Sequence, residues 1–258
     1  MENAVTKKWE FHNPVADKKW FETETQKLKD NLVLTGHKQW DDCFDGMYRG
    51  GLHLICASTG VGKTRYLIAM AKHLSKKGFK VLFISTEQDS IQLYNDYGLK
   101  DSNMWLVYSD KKVLDILNSL EQEQFDAVFY DYIGGEVVYA NRAVGEDTDW
   151  KIMRATANEL ADIAVKKHMV IFSAVQGKDA LNDYNKDNFK DLPNTPKNVA
   201  FATSIIDKAH FAAYLLKNKP GGCVLIPMKR RGREIMRGDE IYSTDIDWGN
   251  CEFYKMES

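Results

Sequence analysis

Ala57–Thr64 reads ASTGVGKT. Apolar Leu52, Leu54, Ile55 and Cys56 lead into it, and Tyr66, Leu67, Met70, Ala71 and Leu74 lead out at helical spacing. The order is strand, loop, helix. The spacing matches the phosphate-binding P-loop, G-x-x-x-x-G-K-[ST], with Ala57 in place of its first glycine. Gly60 and Gly62 let the backbone curl, so that consecutive N–H groups in the stretch Ser58, Thr59, Gly60, Val61, Gly62, Lys63, Thr64 and Arg65 point inward at phosphate oxygens. The helix that begins here adds its positive end. Lys63 reaches the β- and γ-phosphates, and the Thr64 hydroxyl ligates Mg²⁺. The expected cofactors are ATP and Mg²⁺. A glycine-rich turn that binds nothing has no need of this strand before it and helix after it.

Working outward, the chain has 258 residues, enough for one large α/β domain and a short appendage. Formal net charge is −2, so the molecule is no polycation, and a nucleic-acid contact must be a local stripe or come from clustered copies. Cys43, Cys56, Cys223 and Cys251 lie far apart without CxxC spacing, which argues against zinc and for a reducing, cytoplasmic setting. The first residues, MENAVTKKWEFHNP, hold no apolar signal core, and no apolar run is long enough to span a bilayer. No membrane partner is expected.

Residues 1–35 are polar with scattered aromatics and read as an N-terminal arm or linker. Residues 17–31 are expected to be helical, with a sparse stripe of Phe21, Leu28 and Leu32 that either frays or docks on the core or on a neighbouring subunit. Residues 36–258 read as the ATPase domain. A short helix at 39–45 precedes the strand at 52–57, and the helix at 63–77 stops at Lys76, Lys77 and Gly78. Apolar runs at 80–85, 104–108, 126–131 and 169–175 read as buried strands, separated by helices at 89–97, 111–122 and 149–167. Residues 177–198 form a long polar loop. Strands at 209–216, 222–229 and within 240–254 are closely spaced and read as antiparallel. The fold class is therefore α/β: a mostly parallel central sheet flanked by helices, with an antiparallel hairpin extension at the C-terminal edge.

In an open α/β sheet, ligands bind beyond the carboxyl ends of the strands. The P-loop follows the first core strand. Glu87 follows KVLFIST, Asp131 closes DAVFYD, and Gln176 closes MVIFSAV. If these strands are parallel neighbours, all four groups converge on one nucleotide. Phosphoryl transfer to water assigns the roles. Asp131 is the metal ligand beside Thr64, Glu87 is the base that relieves the attacking water of its proton, and the Gln176 amide reports whether the γ-phosphate is present. Asp89 is a weaker rival to Glu87.

Taken together, these residues resemble the RecA-like core of the hexameric DnaB-type (superfamily 4) replicative helicases. VLTGHKQWDDCFDGMYRGGLHLICASTGVGKT (33–64) is similar to the family's segment leading into Walker A. ISTEQ is similar to the motif carrying the catalytic glutamate, FYDYI to Walker B, and FSAVQ to the strand-end glutamine motif. Lys229, Arg230, Arg231 and Gly232 resemble the K-x-R-x-G motif, whose Lys and Arg reach the γ-phosphate of the next subunit. Ala57, Arg233 and Glu234 depart from the family pattern. The short N-terminal stretch suggests a core-only relative, of the kind a phage encodes.

The resemblance implies a homo-oligomer, a hexameric ring, that translocates on single-stranded DNA, with primase or polymerase as partners. It places DNA-facing loops after Asp131 (Asn141, Arg142, Lys151) and after Gln176 (Lys178, Asn182, Lys186, Lys190, Lys197). Tyr184 and Phe189 would stack on bases. A ring multiplies the few charges of one copy. Asp179, Asp183, Asp187 and Asp191 offset the lysines of the second loop, which keeps open a KaiC-like signalling ATPase. A RecA- or RadA-like recombinase or loader that forms filaments is the other alternative.

Overall fold

The structure is a computed structural model that describes residues 13–34, 41, 46–99, 103–109, 112–135, 149–177, 205–217, 223–231, 241–243 and 246–253. The expected helix at 39–45, apart from the helical Asp41, the loop residues Asn141, Arg142, Lys178, Asn182, Tyr184, Lys186, Phe189, Lys190 and Lys197, and Gly232, Arg233 and Glu234 lie outside the described residues. The chain divides into two compact units, Met1–Leu32 and Val33–Ser258. In the first, α1 (Lys18–Asp30) is preceded by a turn in which the Asn13 Oδ1 accepts the N–H groups of Val15 and Ala16. Trp20 and Phe21 meet edge to face at its start, with ring centroids 4.9 Å apart.

β1 (Leu32–Val33) falls at the division of the units, and β2 (Met47–Tyr48) is a short strand of the second unit. The framework is then β3 (Leu52–Ala57), α2 (Lys63–Lys76), β4 (Val81–Ser85), α3 (Ser90–Asp96), β5 (Met104–Tyr108), α4 (Val113–Ser119), β6 (Ala127–Asp131), α5 (Asp149–Lys167) and β7 (Val170–Gln176). It continues through β8 (Phe211–Lys217), β9 (Cys223–Arg230) and β10 (Ile241–Ser243), and ends in a hairpin of β11 (Ile246–Asp247) and β12 (Glu252–Phe253). The central sheet has eight strands in the order β10-β9-β8-β3-β7-β6-β4-β5.

Side-chain alternation explains why helices cover both faces. Leu52, Leu54 and Cys56 of β3, Leu82 and Ile84 of β4, and Val128 and Tyr130 of β6 point to one face. There they meet Val113 and Leu117 of α4 and Met153, Ala157, Leu160 and Ala164 of α5. Ile55, Ala57, Phe83, Phe129 and Phe172 point to the other face, against Tyr66, Leu67, Met70 and Leu74 of α2 and Leu93 of α3. Every strand from β3 to β7 except β5 is therefore apolar on both sides, the mark of a parallel sheet enclosed by helices. Phe83, Phe129 and Leu67 are fully buried, and each contributes about 2–3 kcal/mol of transfer free energy.

The parallel part extends further than the sequence suggests. β8 runs parallel to β3, and the antiparallel extension begins only at β9. The connections decide this. A long connection from β7 to β8 allows a crossover, whereas the five residues between Lys217 and Cys223 permit only a hairpin return. The β11–β12 hairpin is a separate ribbon and does not extend the main sheet.

Candidate active site

Register brings the strand ends together. Ala57, the last residue of β3, lies beside Gln176 of β7, and the N–H of Gly177 donates to Ala57 O at 2.8 Å. Ser85 of β4 lies beside Asp131 of β6, which pairs in turn with β7. The glycine-rich loop, Glu87, Asp131 and Gln176 thus leave the sheet from neighbouring strands at one end.

The loop takes its shape from two glycines in left-handed conformations, Gly60 at φ +79° and Gly62 at φ +109°. Gly62 is the N-cap of α2, so the positive end of that helix opens onto the loop. Thr59 and Gly60 are exposed at the rim, and Ser58 is buried beneath them.

The Lys63 Nζ donates to Ala57 O at 3.1 Å, to Ser58 O at 3.2 Å and to Gln176 Oε1 at 2.9 Å. The Gln176 Nε2 donates to Thr59 Oγ1 at 2.8 Å, closing a ring of side chains over the loop. The Thr64 hydroxyl donates to Asp131 Oδ2 at 2.7 Å. The structure therefore links Lys63 to Gln176 and Thr64 to Asp131 at the mouth of the sheet.

Asp131 is 1% exposed, and burial pushes its carboxyl up to about 6, against the pull of the Thr64 hydrogen bond; the Glu87 charge adds to the rise and Lys63 opposes it. Burial likewise lowers Lys63, while Asp131, Cys56 and Glu87 hold it up. The Cys56 thiol, buried beneath the loop, is pushed up to about 12 and carries no nucleophile at neutral pH. A buried carboxylate short of positive charge fits a divalent cation. Thr64 Oγ1 and Asp131 Oδ2 are hard oxygens facing one another, the donors Mg²⁺ takes when phosphates and waters complete its shell. Among the described residues no cluster of three or more His, Cys, Asp or Glu forms a metal cage, so an ion here would share its shell with a ligand.

Glu87 is exposed at the mouth, near enough to bear on Lys63, Asp131 and Tyr132. Two residues not singled out from the sequence fix its loop. The buried Ser85 Oγ accepts the N–H groups of Glu87 (3.2 Å) and Gln88 (3.0 Å). Thr86 donates to Asp131 O from both its N–H (3.0 Å) and its hydroxyl (3.1 Å), tying the Glu87 loop to the β6 end. A hydroxyl at a strand end followed by a second one was the available signal. Asp89 instead caps α3, accepting the N–H groups of Ile91 and Gln92 at 2.8 Å.

Arg65 is exposed and turned away from Lys63. Its Nη1 donates to Trp248 O at 2.5 Å, and its guanidinium stands 6.0 Å from the Tyr97 ring centre. Lys151 is exposed on α5.

Lys229 and Arg231 are not brought to this end. Arg230 pairs with Phe211, and Phe211 with His53, so the basic turn sits level with the start of β3. The loop leaves from Ala57, so turn and loop are separated by roughly 13 Å along the strand and about 10 Å across it. The Lys229 Nζ donates to Ile206 O at 2.9 Å and also to Asp207 O, while Arg231 is exposed.

Residues 33–115 match the model of the DnaB-like helicase C terminal domain. A solved structure described as an ATPase domain superposes with a TM-score of 0.70 at 14% identity, covering 96% of this chain and 100% of that one. A DnaB-like replicative helicase, whose structure was described with its interactions with primase, gives a TM-score of 0.71 at 14% identity, over 98% of this chain and 68% of that one. At that identity the likeness establishes the fold. The DNA repair protein RadA of Campylobacter jejuni is 30% identical over 125 residues, which is 47% of this chain and a quarter (25%) of that protein's length. Among the described residues no helix is long and apolar enough to cross a membrane.

Proposed function

We propose that this chain, which carries the RecA-like core of the DnaB-type helicases, is an ATP-hydrolysing motor that assembles into a ring and translocates on single-stranded DNA. The observation that carries the reading is the linked set Thr64–Asp131 and Lys63–Gln176 at the mouth of one parallel sheet. In this reading the loop amides from Ser58 to Arg65 and Lys63 hold the triphosphate. Thr64 and Asp131 would hold Mg²⁺, which neutralises phosphate charge when bound. Glu87, held by Ser85 and Thr86 beside Asp131, orients the water and accepts its proton. Arg231 supplies transition-state charge to a neighbouring copy, because its distance from Lys63 in one chain excludes its use there. A head-to-tail interface of that kind closes into a ring, as in the proposed hexamer, when its rotation closes, and otherwise runs on as a filament. DNA contacts from Arg142, Lys178, Asn182, Lys186, Lys190 and Lys197, and a primase or polymerase partner, belong to the same proposal.

The test is ATP hydrolysis with and without a single-stranded oligonucleotide. Stimulation by the oligonucleotide is expected, with a loss of about 10³-fold in Lys63→Ala. A rate indifferent to both DNA and Lys63→Ala overturns the reading. The likeness to the repair protein favours a second reading, a filament-forming recombinase on the same core. Electron microscopy with nucleotide and oligonucleotide separates closed rings from open helices.

A further inference from the structure

The β11–β12 hairpin is gripped by α2 along one helical face. Arg65 holds Trp248 O. Seven residues on, Lys72, 3% exposed, donates to Asn250 O at 2.8 Å and pairs with Glu252 at 3.0 Å. Four residues further, Lys76 reaches the same carboxylate at 2.9 Å. The turn between the two strands is fixed from within as well. The Asp247 Oδ1 accepts the N–H groups of Gly249 (2.8 Å) and Asn250 (3.1 Å), and Oδ2 accepts Asn250 Nδ2 at 2.7 Å. What this bracing delivers is the Trp248 ring, half-buried and pressed on Gly62. A Cβ at Gly62 would stand 2.9 Å from Trp248 Cζ3.

Gly62 sits at φ +109°, immediately before Lys63. A loop with two glycines in left-handed conformations is free to leave that shape, and ordering it at the moment of binding costs affinity. We infer that Trp248 is a positioning residue for the phosphate-binding loop: its ring fixes Gly62 and so holds the neighbouring amides and Lys63 in the curve a triphosphate needs. The inference rests on the proposed reading of Lys63 and Thr64 as a triphosphate site. Trp248 acts on the loop and not on the ligand, so its contribution is uniform to ground and transition states. It belongs in KM and not in kcat.

The experiment titrates the 258-residue chain with Mg²⁺ and ATP, GTP or inorganic tripolyphosphate, and follows ATP turnover. Trp248→Ala is expected to bind all three about tenfold more weakly, with kcat within about twofold of wild type. Trp248→Phe, which keeps a smaller ring against Gly62, is expected to lose about threefold, and Glu252→Gln, which loosens the brace, no more than that. Unchanged affinity in a folded Trp248→Ala overturns the inference. So does a loss confined to ATP and GTP, which makes Trp248 a base contact. If Trp248→Ala does not fold, unchanged affinity in both Trp248→Phe and Glu252→Gln overturns it as well. A wild-type protein that binds none of the three ligands overturns the triphosphate reading itself.

Discussion

The two ends of the central sheet are built on opposite electrostatic plans. At the carboxyl end, the buried polar groups of the site find partners: Asp131 takes the Thr64 hydroxyl, Lys63 takes Gln176, and Ser85 takes two amides. At the amino end, His53 is 2% exposed, and only the Tyr48 backbone bears on its ring as a hydrogen-bonding group among the described residues. Burial, with the neighbouring His210, pushes His53 down to about 3. Burial, with Arg231 and Lys229, pushes His210 down to about 4. One end is thus furnished to receive a charged ligand. The other keeps its interior neutral and sets its cations on the rim.

The sharpest way to break that comparison is to separate the ends genetically. Under the proposed ring, Arg231→Ala is expected to cost about 10³ in hydrolysis rate while nucleotide binding persists. Mixing Arg231→Ala with Lys63→Ala, each inactive alone, should restore measurable hydrolysis, because some interfaces then pair an intact loop with an intact arginine. No recovery on mixing, in a protein that assembles, sinks the shared site.

A smaller effect concerns His53. Its folded value lies below the ordinary 6.5, so the unfolded chain binds the proton first. The folded state therefore loses stability as pH falls from 6.5 toward 3. At pH 5 that loss is about 2 kcal/mol. His53→Leu is expected to show a smaller fall in Tm between pH 7 and pH 5 than wild type, and equal acid sensitivity contradicts it. The smallest effect expected is from Lys229→Met. Freeing the carbonyls of Ile206 and Asp207 should lower stability by about 1 kcal/mol, with a rate loss well below that of Arg231→Ala. A rate loss equal to that of Arg231→Ala at unchanged Tm would show Lys229 leaving those carbonyls for a neighbour.

The carboxyl-end site was legible in the sequence because each group there ends an apolar run. Asp131 and Gln176 close β6 and β7, Glu87 lies two residues past β4, and parallel neighbours align such ends by register. The direction of β8 was not legible, since strand direction depends on where a long connection crosses and composition carries no trace of that. Lys229, expected from the resemblance to reach a neighbour's γ-phosphate, donates in this chain to main-chain carbonyls of a distant turn, and such partners leave no sequence pattern. Trp248 was missed for the same reason. Its contact with Gly62 joins residues 186 positions apart through a hairpin only two residues deep on each strand.

Lys63 carries one ammonium and three acceptors, two of them main-chain oxygens that stay where β3 ends and one the tip of a side chain. An anionic oxygen at the loop would displace the amide first, because it pairs a second charge with the ammonium where all three present acceptors are neutral, and the amide is the acceptor on a rotatable side chain. Under the proposed reading, loading the pocket would take from Gln176 Oε1 the donor it now has in Lys63. Its backbone neighbour Gly177 is fastened to Ala57 O, so under that reading the rearrangement is confined to the side chain. Occupancy of the pocket would then be written in the rotamer of a single amide.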